Sequence, residues 1–341
     1  MSALDRRGFL SLAALGTAAV GLTGCAQARA EDDVRRSATY LPPAYEDLYP
    51  GIERFLDVAS QASGGALTFE HFHSGSLIGA EQLMSGLLMN AADVVFMPSS
   101  YVTSSFPILG ATQIPFVTNN YETQRNAMDP GGSLMDLINN ELASKNVRAL
   151  GGIPCSFEYF WTVDAPIRKP EDVAGMRIRV SGEIEGVTVK ALGGAPVFMS
   201  SSEIYQALER GTIDGVLCYV GTVFGRDLQQ IVRYSTAAHF GAFTVDAYCR
   251  KDWYGSRPAH VRSALDTAGN ALYRHGTANM LTVHDHKYWP AIKAAGVEII
   301  EPTGAELAAF RKAVQPVYEH WRSLLNNDEL ASTVVKLIKK A

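Results

Sequence analysis

The chain has 341 residues, of which 47% are hydrophobic and 19% are charged. This composition can bury a sizeable core and excludes a disordered polypeptide, and the length predicts about two domains. The formal net charge is −5, from 30 basic and 35 acidic residues. Because that balance provides no basic field, we expect no nucleic-acid partner.

The first 30 residues have the pattern of an export signal. Paired arginines at 6–7 precede a mildly apolar stretch over residues 9–22, which is too short to span a bilayer with margin. The pattern is similar to a twin-arginine signal. Two cleavage sites stay open: residues 22–25 resemble a lipobox that would lipidate Cys25, and residues 28–30 form a small-x-small site. We expect export to the periplasm, with or without a lipid anchor at Cys25.

Beyond the signal, candidate strands and helices alternate along the chain. Strands are predicted at residues 67–73, 93–97, 148–151, 177–180, 216–219 and 297–300, with a helix over 80–89 between the first two. This alternation is typical of an α/β fold with mainly parallel sheets.

Three further helices are indicated by their ends or by apolar spacing. Ser200–Glu203 is a capping box for a helix that Gly211 ends, and Thr303–Glu306 is another. The second box precedes a long amphipathic helix that we expect to bend at Pro316. Apolar residues three and four apart from Val261 to Leu272 predict one more helix.

Catalytic and metal-binding signatures are missing. The sequence contains no P-loop, no dinucleotide fingerprint, no Gly-x-Ser-x-Gly and no His-Glu-x-x-His. His71 and His73 would share one strand face, but no carboxylate or cysteine accompanies them at ligand spacing. We therefore expect no metal, no cofactor and no enzymatic activity.

Three cysteines follow the signal: Cys155, Cys218 and Cys249. An odd number without short spacings is not a disulfide framework, and buried free thiols are the favoured interpretation. Whether any pair forms a disulfide stays open.

The segment from Lys169 to Gly215 carries the functional argument. Arg177 and Arg179 fall on one face of the strand over 177–180, and Ile178 falls on the other. A guanidinium that projects from a strand end into a cleft between domains suits a two-pronged grip on a carboxylate. On spacing alone, two solvent-facing arginines on an edge strand remain the alternative.

Several motifs, in this segment and upstream of it, resemble those of the DctP family, the substrate-binding subunits of TRAP transporters. They lie at residues 75–79, 114–116, 169–179, 193–197, 203–211 and 213–215. The similarity spans roughly Arg36 to Ile300, and the block over 169–215 is its most specific part. It implies that a TRAP membrane permease is the partner and that the ligand is a small carboxylated organic acid.

The resemblance also implies a fold and a domain organisation. It predicts a two-lobed, periplasmic-binding-protein-like fold of type II, with a long helix spanning both lobes. Lobe I would comprise residues 31–155 plus about 240–280, and lobe II residues 156–239 plus about 281–341. The ligand would bind between the lobes.

By the same resemblance, Arg179 takes the place of the arginine that binds the substrate carboxylate, and Arg177 that of a usual lysine. Tyr159 stands where some members have a second arginine, and Cys218 where many have an asparagine that touches the ligand. Both departures predict an acid with an apolar or aromatic body. The remaining ligand-contact candidates are Tyr40, Ser99, Trp161 and Tyr219, together with Tyr159 and Cys218.

Two alternative functions, from other classes of protein, stay open. One is an exported binding protein that feeds a sensor or an ABC-type permease. The other is an exported α/β enzyme in which Cys218 or a carboxylate in the cleft is reactive.

Overall fold

The computed structural model describes residues 34–118 and 120–341, so the predicted export signal and Cys25 lie outside the described residues. None of the helices in these two ranges is long and apolar enough to cross a membrane. The strands are β1 (Val34–Thr39), β2 (Thr68–Phe72), β3 (Val94–Pro98), β4 (Val147–Pro154), β5 (Tyr159–Thr162), β6 (Arg177–Val180), β7 (Ala195–Phe198), β8 (Gly215–Cys218), β9 (Tyr234–Thr236), β10 (Thr244–Arg250) and β11 (Glu298–Ile300).

The strands form two separate sheets. The first has the order β2-β1-β3-β10-β4, in which β1 pairs in parallel with β2 and β3, while β10 runs antiparallel to β3 and β4. The second has the order β11-β9-β5-β8-β6-β7, in which β5 is the antiparallel member. We refer to the part of the chain around each sheet as the first and the second lobe.

Helices surround both sheets. They are α1 (Tyr49–Ala62), α2 (Leu83–Leu88), α3 (Tyr121–Ala127), α4 (Ser133–Ala143), α5 (Glu183–Ala191), α6 (Ile204–Glu209), α7 (Val220–Gly225), α8 (Lys251–Gly255), α9 (Ala259–Ala271), α10 (Thr277–Val283), α11 (Trp289–Ala294), α12 (Gly304–Ala313), α13 (Gln315–Leu325) and α14 (Asp328–Lys340). Short 3-10 turns occur at Ala80–Gln82, Ser99–Val102, Pro107–Gln113, Pro170–Val173, Ser201–Glu203 and Leu228–Gln230.

A continuous helical segment runs from one lobe to the other. It joins α9, α10 and α11 through single π-helical turns at Leu272–Gly276 and His284–Tyr288. Its start packs on α1 and β4 of the first lobe, whereas Ile292 lies in the second lobe's core. In the second π turn, His284 Nε2 lies 3.0 Å from Asp47 Oδ2, and both residues are buried. The predicted two-lobed fold with a long helix across both lobes is confirmed.

Two extended segments also cross between the sheets. One, residues 155–158, joins β4 to β5, and the other, residues 237–243, joins β9 to β10. They bind each other through backbone hydrogen bonds: Cys155 N donates to Phe243 O at 2.9 Å, and Glu158 N donates to Gly241 O at 2.9 Å. The crossing segments therefore form the centre of the connection between the lobes.

Most predicted elements occur where the sequence indicated, including both capping boxes. One prediction was wrong in its continuity: the helix after Thr303 is not a single bent helix. Val314, at φ −92° and ψ 5°, leaves the helical backbone conformation and separates α12 from α13, and Pro316 is an early residue of the new helix. The predicted lobe boundaries stay a prediction. The C-terminal helix α14 packs on α3 and α4.

Candidate functional site

A small cavity of about 10 Å³ lies between the lobes, with space for roughly one water molecule. The first lobe contributes Tyr40, Ser100 and Tyr101 to its wall, and the second contributes Arg179 and Cys218. A larger groove of about 810 Å³ lies elsewhere, on the outer surface, where residues 114–117 meet α12, α13 and α14. We place the candidate site at the small cavity because charged side chains are buried there.

Arg179 reaches this cavity from the carboxyl end of β6. Its side chain is buried, with only 2% of the residue exposed. Nε and Nη2 both donate to the carbonyl oxygen of Met199, at 3.1 and 3.0 Å, and Nη2 also donates to Tyr101 Oη at 3.3 Å. Nη1 has no hydrogen-bond partner among the residues that the structure describes. The guanidinium is thus held in position with one nitrogen left for another acceptor.

Two buried carboxyl groups accompany Arg179. Glu185 accepts hydrogen bonds from Gln113 Nε2 at 3.1 Å, from Ser181 N at 2.6 Å and from Ser181 Oγ. Burial by itself would lower the pKa of Arg179, but Tyr101 and Glu185 more than offset this effect and the pKa is raised. The guanidinium therefore keeps its positive charge inside the protein.

The second carboxyl group belongs to Glu158, which lines the cavity and is 1% exposed. Burial, and then the neighbouring Glu185, raise the pKa of Glu158 well above its usual range. Arg179 and Gln113 act in the opposite direction without cancelling the shift. Neighbouring like charges disfavour each other's ionised form, so the environment of Glu158 favours its protonated form more than water would.

Hydroxyl groups link the two lobes beside the cavity. Tyr101 Oη accepts a hydrogen bond from Ser201 N at 2.9 Å as well as that from Arg179. Ser201 Oγ lies 3.4 Å from Tyr40 Oη and accepts a hydrogen bond from Arg226 Nε at 3.1 Å. The wall of the cavity is consequently polar on the side of the first lobe.

Tyr40, Arg179 and Cys218 are the predicted contact residues that the structure brings to the cavity. Cys218 ends β8 and is 1% exposed. Burial raises the pKa of its thiol despite the lowering effect of Arg179. This disfavours the thiolate that nucleophilic catalysis would need. Cys155 and Cys249 are likewise free and buried.

Tyr159 and Trp161 lie outside this lining, on β5. The Trp161 ring is fully buried in the core of the second lobe, stacks on Trp289, and donates from Nε1 to the Cys218 carbonyl at 3.0 Å. The Tyr159 ring packs at a tilt against both Trp161 and Trp289, and burial raises the pKa of Tyr159 to about 12. Ligand contact by either residue stays a prediction.

Ser99 and Tyr219 also lie behind the cavity wall. Ser99 Oγ accepts a hydrogen bond from Thr244 N at 3.2 Å, and the next residue, Ser100, takes the lining position. The Tyr219 ring packs edge-on against Phe243, and its buried hydroxyl has no hydrogen-bond partner among the described residues. Contact with a ligand by these two side chains is untested.

Sequence reasoning missed Glu185 and Tyr101 and grouped Glu158 with an aromatic run. Glu158 directly precedes β5 and Glu185 is the third residue of α5, and neither position carries a sequence pattern that marks a binding site. Their meeting depends on how the crossing segment and α5 face each other. Among the described residues, no group of three or more side chains could hold a metal ion.

A two-lobed α/β fold with a charged cavity between the lobes is the architecture of a solute-binding protein. The family described as bacterial extracellular solute-binding protein, family 7 (DctP), matches residues 39–324, and the chain belongs to this family. The resemblance inferred from the motifs is confirmed.

Curated relatives and solved structures are similar along most of the chain. The C4-dicarboxylate-binding periplasmic protein DctP of Rhodobacter capsulatus is 24% identical over 291 residues, 83% of this chain and 84% of the relative. A TRAP periplasmic solute-binding protein of Ralstonia eutropha H16 with bound (S)-2-acetolactate matches with a TM-score of 0.82 at 23% identity, covering 90% of this chain and 99% of that one.

A third relative comes from Roseobacter denitrificans. Its TRAP periplasmic solute-binding protein, with bound β-D-glucuronate, matches with a TM-score of 0.81 at 22% identity, over 90% of this chain and 99% of that chain. Both structural likenesses show a shared fold.

Proposed function

We propose that this protein captures a small organic acid between its lobes, holds the carboxylate on Arg179, and delivers it to a TRAP membrane permease. The observation that carries the proposal is a buried guanidinium with an uncommitted Nη1 at the interlobe cavity. Relatives described as binding a C4-dicarboxylate, acetolactate or glucuronate support the class of ligand.

The hydrogen bonds of Arg179 define how a carboxylate would be received. Nη1 offers both of its hydrogens, and Nη2 can contribute if the ligand replaces Tyr101 Oη. The Met199 carbonyl binds the adjacent Nε–Nη2 edge of the guanidinium and keeps its plane fixed. A charge-assisted, two-pronged hydrogen bond in a site closed to water is strong and directional.

Ligand entry requires the lobes to separate, because a cavity of about 10 Å³ cannot hold an organic acid. The crossing segments and the two π turns of the long helix are the connections about which the lobes can hinge. The permease would then receive the ligand when the lobes open again.

The decisive experiment is isothermal calorimetry of the purified protein with succinate, malate, lactate, glucuronate and phenylacetate. We expect at least one acid to bind at one site per chain and to raise the melting temperature as its concentration increases. Conversion of the acid into a product would instead favour the enzyme alternative. Binding of neutral compounds alone would contradict the proposed role of Arg179.

We also propose export to the periplasm through the first 30 residues, for which the family's extracellular description is the support. The mass of the N-terminal peptide of the mature protein tests this. A diacylated peptide starting at Cys25 would indicate a lipid anchor, and an unmodified peptide starting at Glu31 would indicate a released protein. A peptide that retains Met1 would contradict export.

A further inference from the structure

Glu158 occupies an unusual position, in the segment that crosses from the first lobe to the second. Its backbone is bound on both sides by the other crossing segment, through N to Gly241 O at 2.9 Å and from Phe240 N to its own carbonyl oxygen at 3.3 Å. Its side chain lines the same cavity as Arg179. A group placed there faces any ligand that Arg179 holds.

The hydrogen bonds around Glu158 are incomplete. Its Oε2 is buried and has no hydrogen-bond partner among the described residues. The neighbouring Glu185, by contrast, has both oxygens occupied by Gln113 and Ser181. Both oxygens of a carboxylate, and the carbonyl oxygen of a carboxylic acid, accept hydrogen bonds.

Buried polar atoms without partners are rare in folded proteins and call for a specific explanation. Here the unpartnered oxygen belongs to a side chain in the wall of the binding cavity, beside the residue proposed to fix the ligand. A hydrogen-bond donor would complete this position, since a carboxyl oxygen without its own hydrogen accepts.

We infer that Glu158 accepts a hydrogen bond from a hydroxyl or N–H group of the ligand, and that the protein selects acids with such a donor over their unsubstituted counterparts. This inference rests on the proposed function, because it needs the carboxylate to lie on Arg179. A second carboxylate placed near Glu158 would instead meet Glu185 and be repelled.

Matched acid pairs test the inference directly: lactate with propionate, malate with succinate, and mandelate with phenylacetate. The members of each pair differ in one hydroxyl group. A site built to bond a hydroxyl leaves its own acceptor unpaired when that hydroxyl is missing. By calorimetry on the wild-type protein, we expect the hydroxyl member of any pair that binds to bind at least about tenfold more tightly.

Two variants separate the acceptor from the rest of the side chain. Glu158→Gln keeps an oxygen acceptor and can donate its amide to Glu185, so it should retain the preference. Glu158→Met has a similar length without an acceptor, so the two members of each pair should bind within about twofold of each other. Circular dichroism and thermal unfolding of both variants check that the fold is intact.

The outcomes distinguish this inference from the proposed function. If the acids bind in an Arg179-dependent manner but without preference for the hydroxyl member, the inference is wrong and the proposed function stands. A preference that persists unchanged in Glu158→Met would also overturn it. If none of the six acids binds, and Arg179→Met behaves as the wild type does, both the inference and the proposed function are contradicted.

Discussion

The two ends of β6 carry the same residue type in opposite circumstances. Arg177 and Arg179 lie on one face of the strand, two residues apart. At the amino end, Arg177 is exposed and Asp214 occupies its side chain, with Nε to Oδ2 at 3.1 Å and Nη2 to Oδ1 at 2.6 Å. At the carboxyl end, Arg179 is buried, and within residues 34–118 and 120–341 it has no carboxylate as a hydrogen-bond partner and no partner for Nη1.

Position along the strand, and not residue type, therefore decides which of the two arginines can bind a ligand. The carboxyl ends of parallel strands are where open α/β sheets bind ligands, and here that end faces the other lobe. Water and salt screen the Arg177–Asp214 pair at the surface, whereas burial strengthens every electrostatic interaction of Arg179. The family motif that ends in Asp214-Gly215 therefore holds the amino end of β6 in place.

The largest effect on ligand affinity is expected from removing the guanidinium of Arg179. Arg179→Met should weaken binding of an organic acid by about 2–5 kcal/mol, because the ligand carboxylate would lose a buried charged partner. Arg177→Met is the matched control and should leave the affinity unchanged. Calorimetry measures both, and equal losses in the two variants would contradict the comparison.

A second test uses the glycines that flank the two ends. A Cβ on Gly182 would lie 1.9 Å from the Ser100 carbonyl oxygen of the other lobe, so Gly182→Ala should hinder closure. Overpacking of about 1–3 kcal/mol would lower ligand affinity roughly five- to hundredfold. Affinity measurements and small-angle scattering with saturating ligand would detect this, and unchanged affinity would show that closure does not need the contact.

Gly175 is the control for that substitution. It has a φ of +77°, and among the described residues other than its chain neighbours no atom lies within 4 Å of an added Cβ. Gly175→Ala should therefore lower the free energy of unfolding by about 1–2 kcal/mol through backbone strain and leave affinity unaltered.

A smaller effect is expected in the pH dependence of stability. The native pKa of Glu158 is raised, so the wild-type native state holds a proton that the unfolded state loses above its ordinary pKa. Stability from this group consequently falls as pH rises, by at most about 1.4 kcal/mol per unit. Glu158→Gln removes that slope, so its urea midpoint should improve relative to wild type as the pH rises above the ordinary pKa of a glutamate. A difference that stays constant with pH would contradict the raised pKa of Glu158.

The contribution of Asp214 to stability should change with pH in the opposite direction. Its hydrogen bond with Arg177 lowers its pKa below the usual range, so its contribution is present above the ordinary pKa and is lost as pH falls through the lowered value. Asp214→Asn should therefore cost stability at neutral pH and little in strong acid. Urea unfolding across this range measures it, and a cost that grows in acid would contradict the assignment.

The smallest effect is the coupling between Arg177 and Asp214 themselves. A double-mutant cycle with Arg177→Gln and Asp214→Asn should return a weak coupling that shrinks in about 0.5 M salt, as exposed ion pairs do. Strong coupling that resists salt would show that the amino end of β6 is less exposed to solvent screening than the structure indicates.

Local patterns in the sequence were sufficient for the elements and the family. The strand over 177–180, the capping boxes at Ser200 and Thr303, and the apolar spacing from Val261 to Leu272 depend on neighbours a few residues away. Such elements can be predicted from the sequence because turns, caps and amphipathic faces depend on short-range geometry. The motifs over 169–215 were specific enough to indicate Arg179 as the carboxylate contact, which stays a prediction.

Which side chains come into contact depends on the packing of the folded chain. Ser100 rather than Ser99 reaches the cavity, because successive residues point in different directions where β3 ends. Trp161 faces the core of the second lobe, and Glu158 meets Glu185 only because the crossing segment lies against α5 and the Pro107–Gln113 turn. Contacts between residues far apart in sequence depend on packing, and packing leaves no local periodicity in the chain.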